Sequence, residues 1–316
     1  MSRPSPRTPF AFWHEAVLGV LLALVFALAR ALDPAFLAVD TQTELLTHVW
    51  ETALLAVPMT LLIVSGGIDL SVGSIMALSV VVLGMVFTAG APIFLAALLA
   101  VLTGLACGLL NGVFVARVRV HPLLVTLATL ATFRGIAEGL SRAQPVSGFP
   151  PGFASLLGTG NAGAFCFAAA LVLAAVVLSR TALGLTIRAV GFNETAARFS
   201  GLPVARVKML LYALSGLAAG LAAVLFVARR NTAKADIGQG IELDVIAMVV
   251  LGGTSIFGGR GSVWGTLLGV LLIHETREFV GWHWNRDELN LIVLGALLIV
   301  AVLLNRFLAP KTGRAE

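Results

Sequence analysis

The sequence predicts an all-α polytopic membrane protein, and three observations support that fold class. The composition is 59% hydrophobic and only 12% charged, whereas soluble domains are about 25% charged. The mean hydropathy is +0.99. The apolar residues are grouped into segments close to the roughly 20 residues that a helix needs to cross a bilayer. No stretch between these segments is long enough for a soluble domain, so residues 1–316 are expected to form one transmembrane domain.

About ten transmembrane helices are predicted, some of them short or broken by glycine. The predicted spans are 14–32, 50–66, 71–89, 92–116, 122–141, 162–179, 208–228, 242–257, 262–280 and 288–306. The first span follows two arginines and has the composition of a secretory signal. Because it continues past Arg30 and nine further spans follow, we expect it to remain as a transmembrane helix.

The basic residues predict the orientation in the membrane. If the amino terminus is cytoplasmic, thirteen of the 21 Lys and Arg residues lie on the inner side and seven on the outer side. Loops that are rich in Lys and Arg stay in the cytoplasm, so both termini are predicted to be cytoplasmic. Topology thereby explains the net charge of +5, and no nucleic-acid partner is expected.

Two glycine-rich breaks interrupt apolar segments in separate halves of the chain. The first reads Val-Ser-Gly-Gly-Ile-Asp-Leu-Ser-Val-Gly-Ser over 64–74, and the second has Gly252, Gly253 and three more glycines before Ser262. An unpaired backbone group in lipid costs several kcal/mol, so such breaks need packed or watery surroundings. Paired breaks of this kind indicate a transport path. The residues predicted to line the path or shape its broken helices are Gly66, Gly67, Asp69, Ser71, Gly73, Asn111, Gly252 and Gly253.

Two roles are open for Asp69. An intramembrane carboxylate is by default a functional-site candidate. Alternatively, Asp69 accepts hydrogen bonds from the N–H groups that the broken turn frees, or caps the helix that begins near Ser71. No second acid lies near it in the sequence, and the second break has no acidic counterpart. We therefore favour the structural role.

The longest inner interruption, 180–207, is predicted to contain a short helix with its own end signals. Asn193 is a good N-cap, Glu194 lies in the first turn where the helix dipole favours an anion, and Gly201 with Pro203 ends the helix. Such a helix predicts a docking surface, although a helix that lies on the membrane is equally compatible with the composition.

Arg134 and Glu138 are four residues apart near the outer end of the fifth predicted helix. They either form an i,i+4 pair at the membrane interface or face a partner at the outer mouth of the path.

The residues that could carry chemistry form no catalytic or metal-binding pattern. The five histidines are dispersed, and Cys107 and Cys166 lie in apolar surroundings, which is typical of free thiols. The stretch from Gly253 to Arg260 lacks the Gly-Lys-Ser/Thr ending of a phosphate-binding loop. We therefore predict no enzyme activity, no cofactor and no metal.

Three blocks resemble, in the same order, those of permease subunits of ribose-, xylose- and rhamnose-type ABC sugar importers and of the related autoinducer-2 permeases. They are the break at 64–74, Ala-Val-Gly-Phe-Asn-Glu-Thr-Ala-Ala-Arg-Phe-Ser-Gly at 189–201, and Val-Leu-Gly-Gly-Thr-Ser-Ile-Phe-Gly-Gly-Arg-Gly-Ser-Val-Trp-Gly-Thr at 250–266. The stretches at 133–139 and 147–151 are most similar to rhamnose permeases.

The resemblance implies a permease of the type II ABC importer kind for a monosaccharide or similar polar solute, with a rhamnose-like sugar favoured. It implies a separate ATPase that binds ATP, an extracytoplasmic sugar-binding protein, a second permease copy or paralogue, and a place in the bacterial inner membrane. The residues that it implies for ATPase coupling are Asn193, Glu194, Ala197, Arg198 and Gly201. If Arg134 and Glu138 lie at the outer mouth, the partner that they face would be the sugar-binding protein.

Two other classes of membrane protein would have different features. A secondary transporter driven by an ion gradient would depend on Asp69 and would not respond to loss of an ATPase. A membrane-embedded enzyme would need clustered polar catalytic residues, and the sequence shows none.

Overall fold

The computed structural model describes residues 9–286, 288–290, 292–293, 295–296 and 299. The helices in these ranges are α1 (Pro9–Leu32), α2 (Val39–Leu46), α3 (Trp50–Val64), α4 (Val72–Thr88), α5 (Ile93–Val113), α6 (Pro122–Ser141), α7 (Pro151–Leu157), α8 (Gly160–Arg180), α9 (Ala182–Phe192), α10 (Glu194–Phe199), α11 (Val204–Arg230), α12 (Ile241–Leu251) and α13 (Val263–Trp284). A 3₁₀ helix at Pro34–Leu37 precedes α2, and a π-helical turn at Phe114–Val118 extends α5. A short strand β1 (Val146–Ser147) pairs antiparallel with β2 (Thr232–Ala233).

The all-α prediction is confirmed, and nine of the ten predicted spans coincide with helices. Within the described ranges, five helices are long and apolar enough to cross a membrane, namely α1, α5 with its π turn, α6, α8 and α11. The pair α2 and α3, which is bent by 56°, makes a sixth if it is one span. The tenth predicted span, 288–306, lies largely outside the described residues.

Three of the described helices that the sequence predicts as spans are too short to cross a bilayer by themselves. Helices α3, α4 and α12 have 15, 17 and 11 residues, fewer than the roughly 20 that a bilayer needs. The predicted span 242–257 was therefore wrong at its end. Helix α12 stops at Leu251 because Gly253 follows with a left-handed φ of +86°.

The centre of the bundle is α11, which packs against α3, α4 and α5. Glycines let α5 and α11 approach backbone to backbone. A Cβ atom at Gly104 would lie 2.4 Å from the carbonyl oxygen of Gly216, and one at Gly108 would lie 2.3 Å from that of Tyr212. Gly104 with Gly108, and Gly216 with Gly220, have the four-residue spacing of small residues that is typical of closely packed membrane helices. Close contact between the two backbones at these glycines therefore fixes how α5 and α11 pack.

The interruption at 180–207 contains two helices, whereas the sequence analysis predicts one. Helix α10 begins at the predicted N-cap, where the Asn193 side chain accepts a hydrogen bond from the backbone N–H of Ala196 at 2.9 Å. Helix α9 was not predicted, although it also has an N-cap. The Thr181 hydroxyl accepts from the N–H of Gly184 at 3.2 Å, and this Thr was the sequence signal for α9.

We expect Gly108→Ala to destabilise the protein by roughly 1–3 kcal/mol, the usual cost of overpacking. Its new methyl group would overlap the Tyr212 carbonyl, which belongs to the backbone and has no rotamer to change. Gly139→Ala on α6 is the matched control, because no atom lies within 4 Å of its added Cβ. Thermal unfolding of both variants in detergent checks this expectation, and equal melting temperatures would contradict it.

Candidate functional site

The first break, between α3 and α4, is organised around the fully buried Asp69. Its Oδ1 accepts hydrogen bonds from the Ser71 backbone N–H at 2.9 Å and from the Ser71 hydroxyl at 2.6 Å. Its Oδ2 accepts from the Ser215 hydroxyl on α11 at 2.9 Å. The carboxylate therefore connects the residue that precedes α4 to the central helix. These contacts are the ones that the structural role requires.

Further side chains from α5 and α11 hold the same break. The Asn111 side-chain amide on α5 donates to the Ser71 hydroxyl oxygen at 2.8 Å. The Tyr212 hydroxyl on α11 donates to the backbone carbonyl of Ile68 at 2.9 Å. Among the described residues, the amide oxygen of Asn111 is buried without a hydrogen-bond partner. The predicted path residues Asp69, Ser71 and Asn111 thus form one buried polar network.

The second break, between α12 and α13, is a tight glycine turn. Gly253, Gly258 and Gly259 have φ values of +86°, +84° and +76°, a region that only glycine adopts without strain. Gly252 has no room for a side chain, because a Cβ there would lie 2.6 Å from the carbonyl of Gly265 on α13. Both predicted glycines therefore shape this turn.

Helix α1 contacts the second break through two polar side chains that the sequence analysis did not assign. The His14 Nε2 atom lies 3.0 Å from the carbonyl oxygen of Leu251, at the end of α12. The Ser262 hydroxyl donates to the Glu15 carboxylate at 2.7 Å and accepts from the Gly265 N–H at 3.2 Å, which caps α13. His14 and Glu15 lie 237 and 247 residues from their partners, so no local sequence pattern predicts these contacts.

The two breaks touch each other at the end of α3, and α4 also packs against the residues that precede α12. The backbone N–H of Gly259 donates to the carbonyl oxygen of Val64, at the end of α3, at 2.8 Å. In the first turn of α4, a Cβ at Gly73 would lie 2.2 Å from the carbonyl of Gly238, which precedes α12. The broken helices from the two halves of the chain therefore meet, as the sequence pattern predicts for paired breaks.

Arg134 contacts the segment that leads into α12 instead of pairing with Glu138. Its guanidinium donates to the backbone carbonyls of Ala235 and Ile237 at 2.5 and 2.7 Å. No ion pair joins Arg134 to Glu138 within the described part of the chain. The i,i+4 interpretation is therefore wrong, because these carbonyls are better placed for the guanidinium than the exposed Glu138 carboxylate.

The predicted coupling residues are engaged within the loop itself. Glu194 accepts from Arg198 at 2.8 Å and forms an ion pair with the buried Lys208 of α11. Ala197 is buried against Val190 and Val204. Gly201 has a φ of +79° just after α10 and is exposed.

Glu194 ionises more easily than an isolated glutamate. Burial raises its pKa, but hydrogen bonds and charge from Lys208 and Arg198 outweigh burial and hold the pKa below its ordinary range. The contribution of this ion pair to stability is therefore complete above a pH of about 4.3, the ordinary glutamate pKa. That contribution is lost as the pH falls through the lower pKa of the folded protein.

Three aromatic side chains on or near α9 and α10 are strongly exposed, and none of them was predicted as a site residue. Phe199, the last residue of α10, is 88% exposed, and Phe192, the last residue of α9, is 63% exposed. Phe257 in the second break is 86% exposed. Large apolar side chains at such exposure are candidates for contact with lipid or with another protein.

Broken helices that meet inside a bundle of apolar helices are typical of polytopic membrane transporters. Residues 42–302 match the family described as "Branched-chain amino acid transport system / permease component". The chain belongs to this family of permeases.

Two relatives show how far the similarity extends. The chain is 36% identical over 303 residues to the autoinducer 2 import system permease protein LsrD of Yersinia enterocolitica, which covers 91% of this chain and 90% of that protein. It is 36% identical over 295 residues to the ribose import permease protein RbsC of Bacillus subtilis, which covers 92% of this chain and 91% of that protein. No solved structure matches the chain significantly.

The predicted likeness to ribose-type and autoinducer-2-type permeases is thereby confirmed. The chain is a transmembrane permease subunit of the ABC importer kind, and not an enzyme. Permeases of this kind are multi-pass inner-membrane proteins that work with an ATPase and a binding protein.

We expect Asp69→Ala to destabilise the protein by roughly 1–3 kcal/mol, because it leaves the buried donors of Ser71 and Ser215 without an acceptor. Asp69→Asn keeps one acceptor oxygen and should therefore lose less stability than Asp69→Ala. Denaturant unfolding of both variants in detergent provides the measurement. If Asp69→Asn unfolds like the native protein but transports nothing, a purely structural role for this carboxylate is refuted.

Proposed function

We propose that this chain forms the translocation path of an ATP-driven importer for a monosaccharide or a similar polar solute. The observation that carries the proposal is the 36% identity, over more than nine-tenths of the chain, to permeases named for the import of ribose and of autoinducer 2. A rhamnose-like sugar remains our prediction from the sequence. The family description names branched-chain amino acids, so leucine is the control solute.

The proposed orientation places both termini and the helices α9 and α10 in the cytoplasm. The distribution of basic residues supports this orientation, since the interruption at 180–207 contains four arginines and loops rich in Lys and Arg stay in the cytoplasm. The end of α3 and the second break lie at the same end of the molecule as α9, because they contact it. The Arg134 contact with the segment before α12 then belongs to the outer half, where a binding protein would deliver the solute.

The proposed assembly pairs this chain with a second permease copy or a paralogue and with ATPase subunits at the cytoplasmic face. In this assembly α10 with its neighbours is the ATPase-contacting segment. Glu194 and Arg198 neutralise each other within the loop, so we assign them to holding α10 in place. Phe199 is the side chain available for burial in a groove on the partner.

ATPase dependence is the decisive test of the class. We expect solute uptake by cells that express the importer to stop when the catalytic glutamate of the ATPase partner is replaced. Uptake should persist when the ion gradients are collapsed but ATP is kept constant. The reverse pattern would establish the ion-driven alternative.

We expect Phe199→Ala to weaken association with the ATPase by about 2 kcal/mol, or roughly 30-fold, the size of an interface hot spot. Folding should be unaffected, because this side chain is 88% exposed. Phe165→Ala is the matched control, since Phe165 is 75% exposed on α8, away from the loop. Co-purification of tagged ATPase with each variant checks the prediction, and equal recovery would contradict this docking role.

A further inference from the structure

The last turn of α9 lies between the two breaks, and Gly191 is the residue at the contact. A Cβ at Gly191 would lie 1.9 Å from the carbonyl oxygen of Val64 and 2.5 Å from the backbone nitrogen of Gly259. These two atoms are the acceptor and the donor of the 2.8 Å hydrogen bond that joins the breaks. One residue of α9 therefore touches both breaks at the bond that connects them.

Glycines from three segments meet at this point, and we call Gly66, Gly191, Gly258 and Gly259 the glycine junction. A Cβ at Gly258 would lie 2.8 Å from the carbonyl oxygen of Gly191 and 3.1 Å from the Cα atom of Gly66. The contacts among Gly66, Gly191 and Gly258 thus join backbone to backbone. A side chain can absorb a displacement by changing rotamer, whereas close-packed backbone passes it on.

Side chains beside the glycine junction attach α9 to the second break as well. The guanidinium of Arg188 donates to the carbonyl of Gly261 at 3.3 Å. The Arg260 guanidinium lies 6.0 Å from the centre of the Phe192 ring. Both contacts join α9 to the second break, and they would keep the two together during a movement of α9.

Helix α9 is also firmly connected to α10. Val190, Ala197 and Val204 form a separate buried cluster that joins α9, α10 and the start of α11. Asn193 is at once the residue that ends α9 and the N-cap of α10. A force applied to α10 therefore reaches Gly191, two residues before Asn193, without a flexible linker between them.

We propose that Gly191 is a positioning residue through which α9 and α10 move both helix breaks together. This inference rests on the proposed function, because the displacing force would come from the ATPase. When α9 shifts, the end of α3 and the turn before α13 shift with it as one body. Access to the path then changes in one step instead of two independent ones.

The first test replaces Gly191 in the assembled importer reconstituted in liposomes. We expect Gly191→Ala to lower solute transported per ATP hydrolysed by about 2- to 30-fold, the usual range for lost coupling, while the ATPase stays bound. Gly135→Ala on α6, whose added Cβ meets no atom within 4 Å, should match the native importer. Native transport by an assembled Gly191→Ala importer would overturn the proposal.

A second test remains decisive if Gly191→Ala fails to assemble. Phe192→Cys and Arg260→Cys, placed in a chain with Cys107→Ala and Cys166→Ala, are joined by a short bifunctional thiol reagent. We expect transport to be the same before and after cross-linking, because α9 and the second break move together. Loss of transport on cross-linking, with no loss after a monofunctional reagent of the same kind, would show that they must separate and would refute the proposal.

The two proposals fail in distinguishable ways. If the native importer transports without a working ATPase, the proposed function fails. If the native importer needs the ATPase and Phe199→Ala weakens its binding, but Gly191→Ala transports normally, only the role of the glycine junction fails.

Discussion

The need to pair buried backbone polar groups is the constraint on which both helix breaks depend. In the first break, Tyr212 donates to the freed carbonyl of Ile68 and Asp69 accepts from the N–H of Ser71. The carbonyl of Val64, at the end of α3, is satisfied by the N–H of Gly259 from the second break. The first break is therefore stable only with α11 beside it and the second break in contact.

Glycine has two separate uses in this chain, and they have different consequences. At Gly253, Gly258 and Gly259 a left-handed backbone ends α12 and forms the turn before α13. At Gly108 and Gly191 the backbone angles are ordinary, and the absence of Cβ instead allows contact with a neighbouring carbonyl. The first use shapes a break, whereas the second fixes its distance from a neighbouring helix. Gly258 serves both uses, because it also packs against the backbone of Gly191 in the glycine junction.

The sequence predicts local features well and distant partners poorly. Apolar length, glycine and the Asn193 cap gave the helices and breaks, because those signals act within a few residues. Ser215 lies 146 residues from its partner Asp69, and the carbonyls that bind Arg134 lie about 100 residues away. Packing decides such contacts, so one sequence cannot reveal them. For the same reason Glu194, selected for an external partner, was found paired with Lys208.

The hydrogen bonds to the Asp69 carboxylate also bear on how transport is driven. An ion-driven carrier that used Asp69 would need this carboxylate to exchange a proton or cation repeatedly with water. Both oxygens of Asp69 are engaged, by Ser71 and by Ser215, and the residue is fully buried. Exchange would have to break the hydrogen bonds that connect Ser71, at the start of α4, to Ser215 on α11. A carboxylate engaged in this way favours the proposed importer, in which the energy would come from an ATPase partner that acts on α9 and α10.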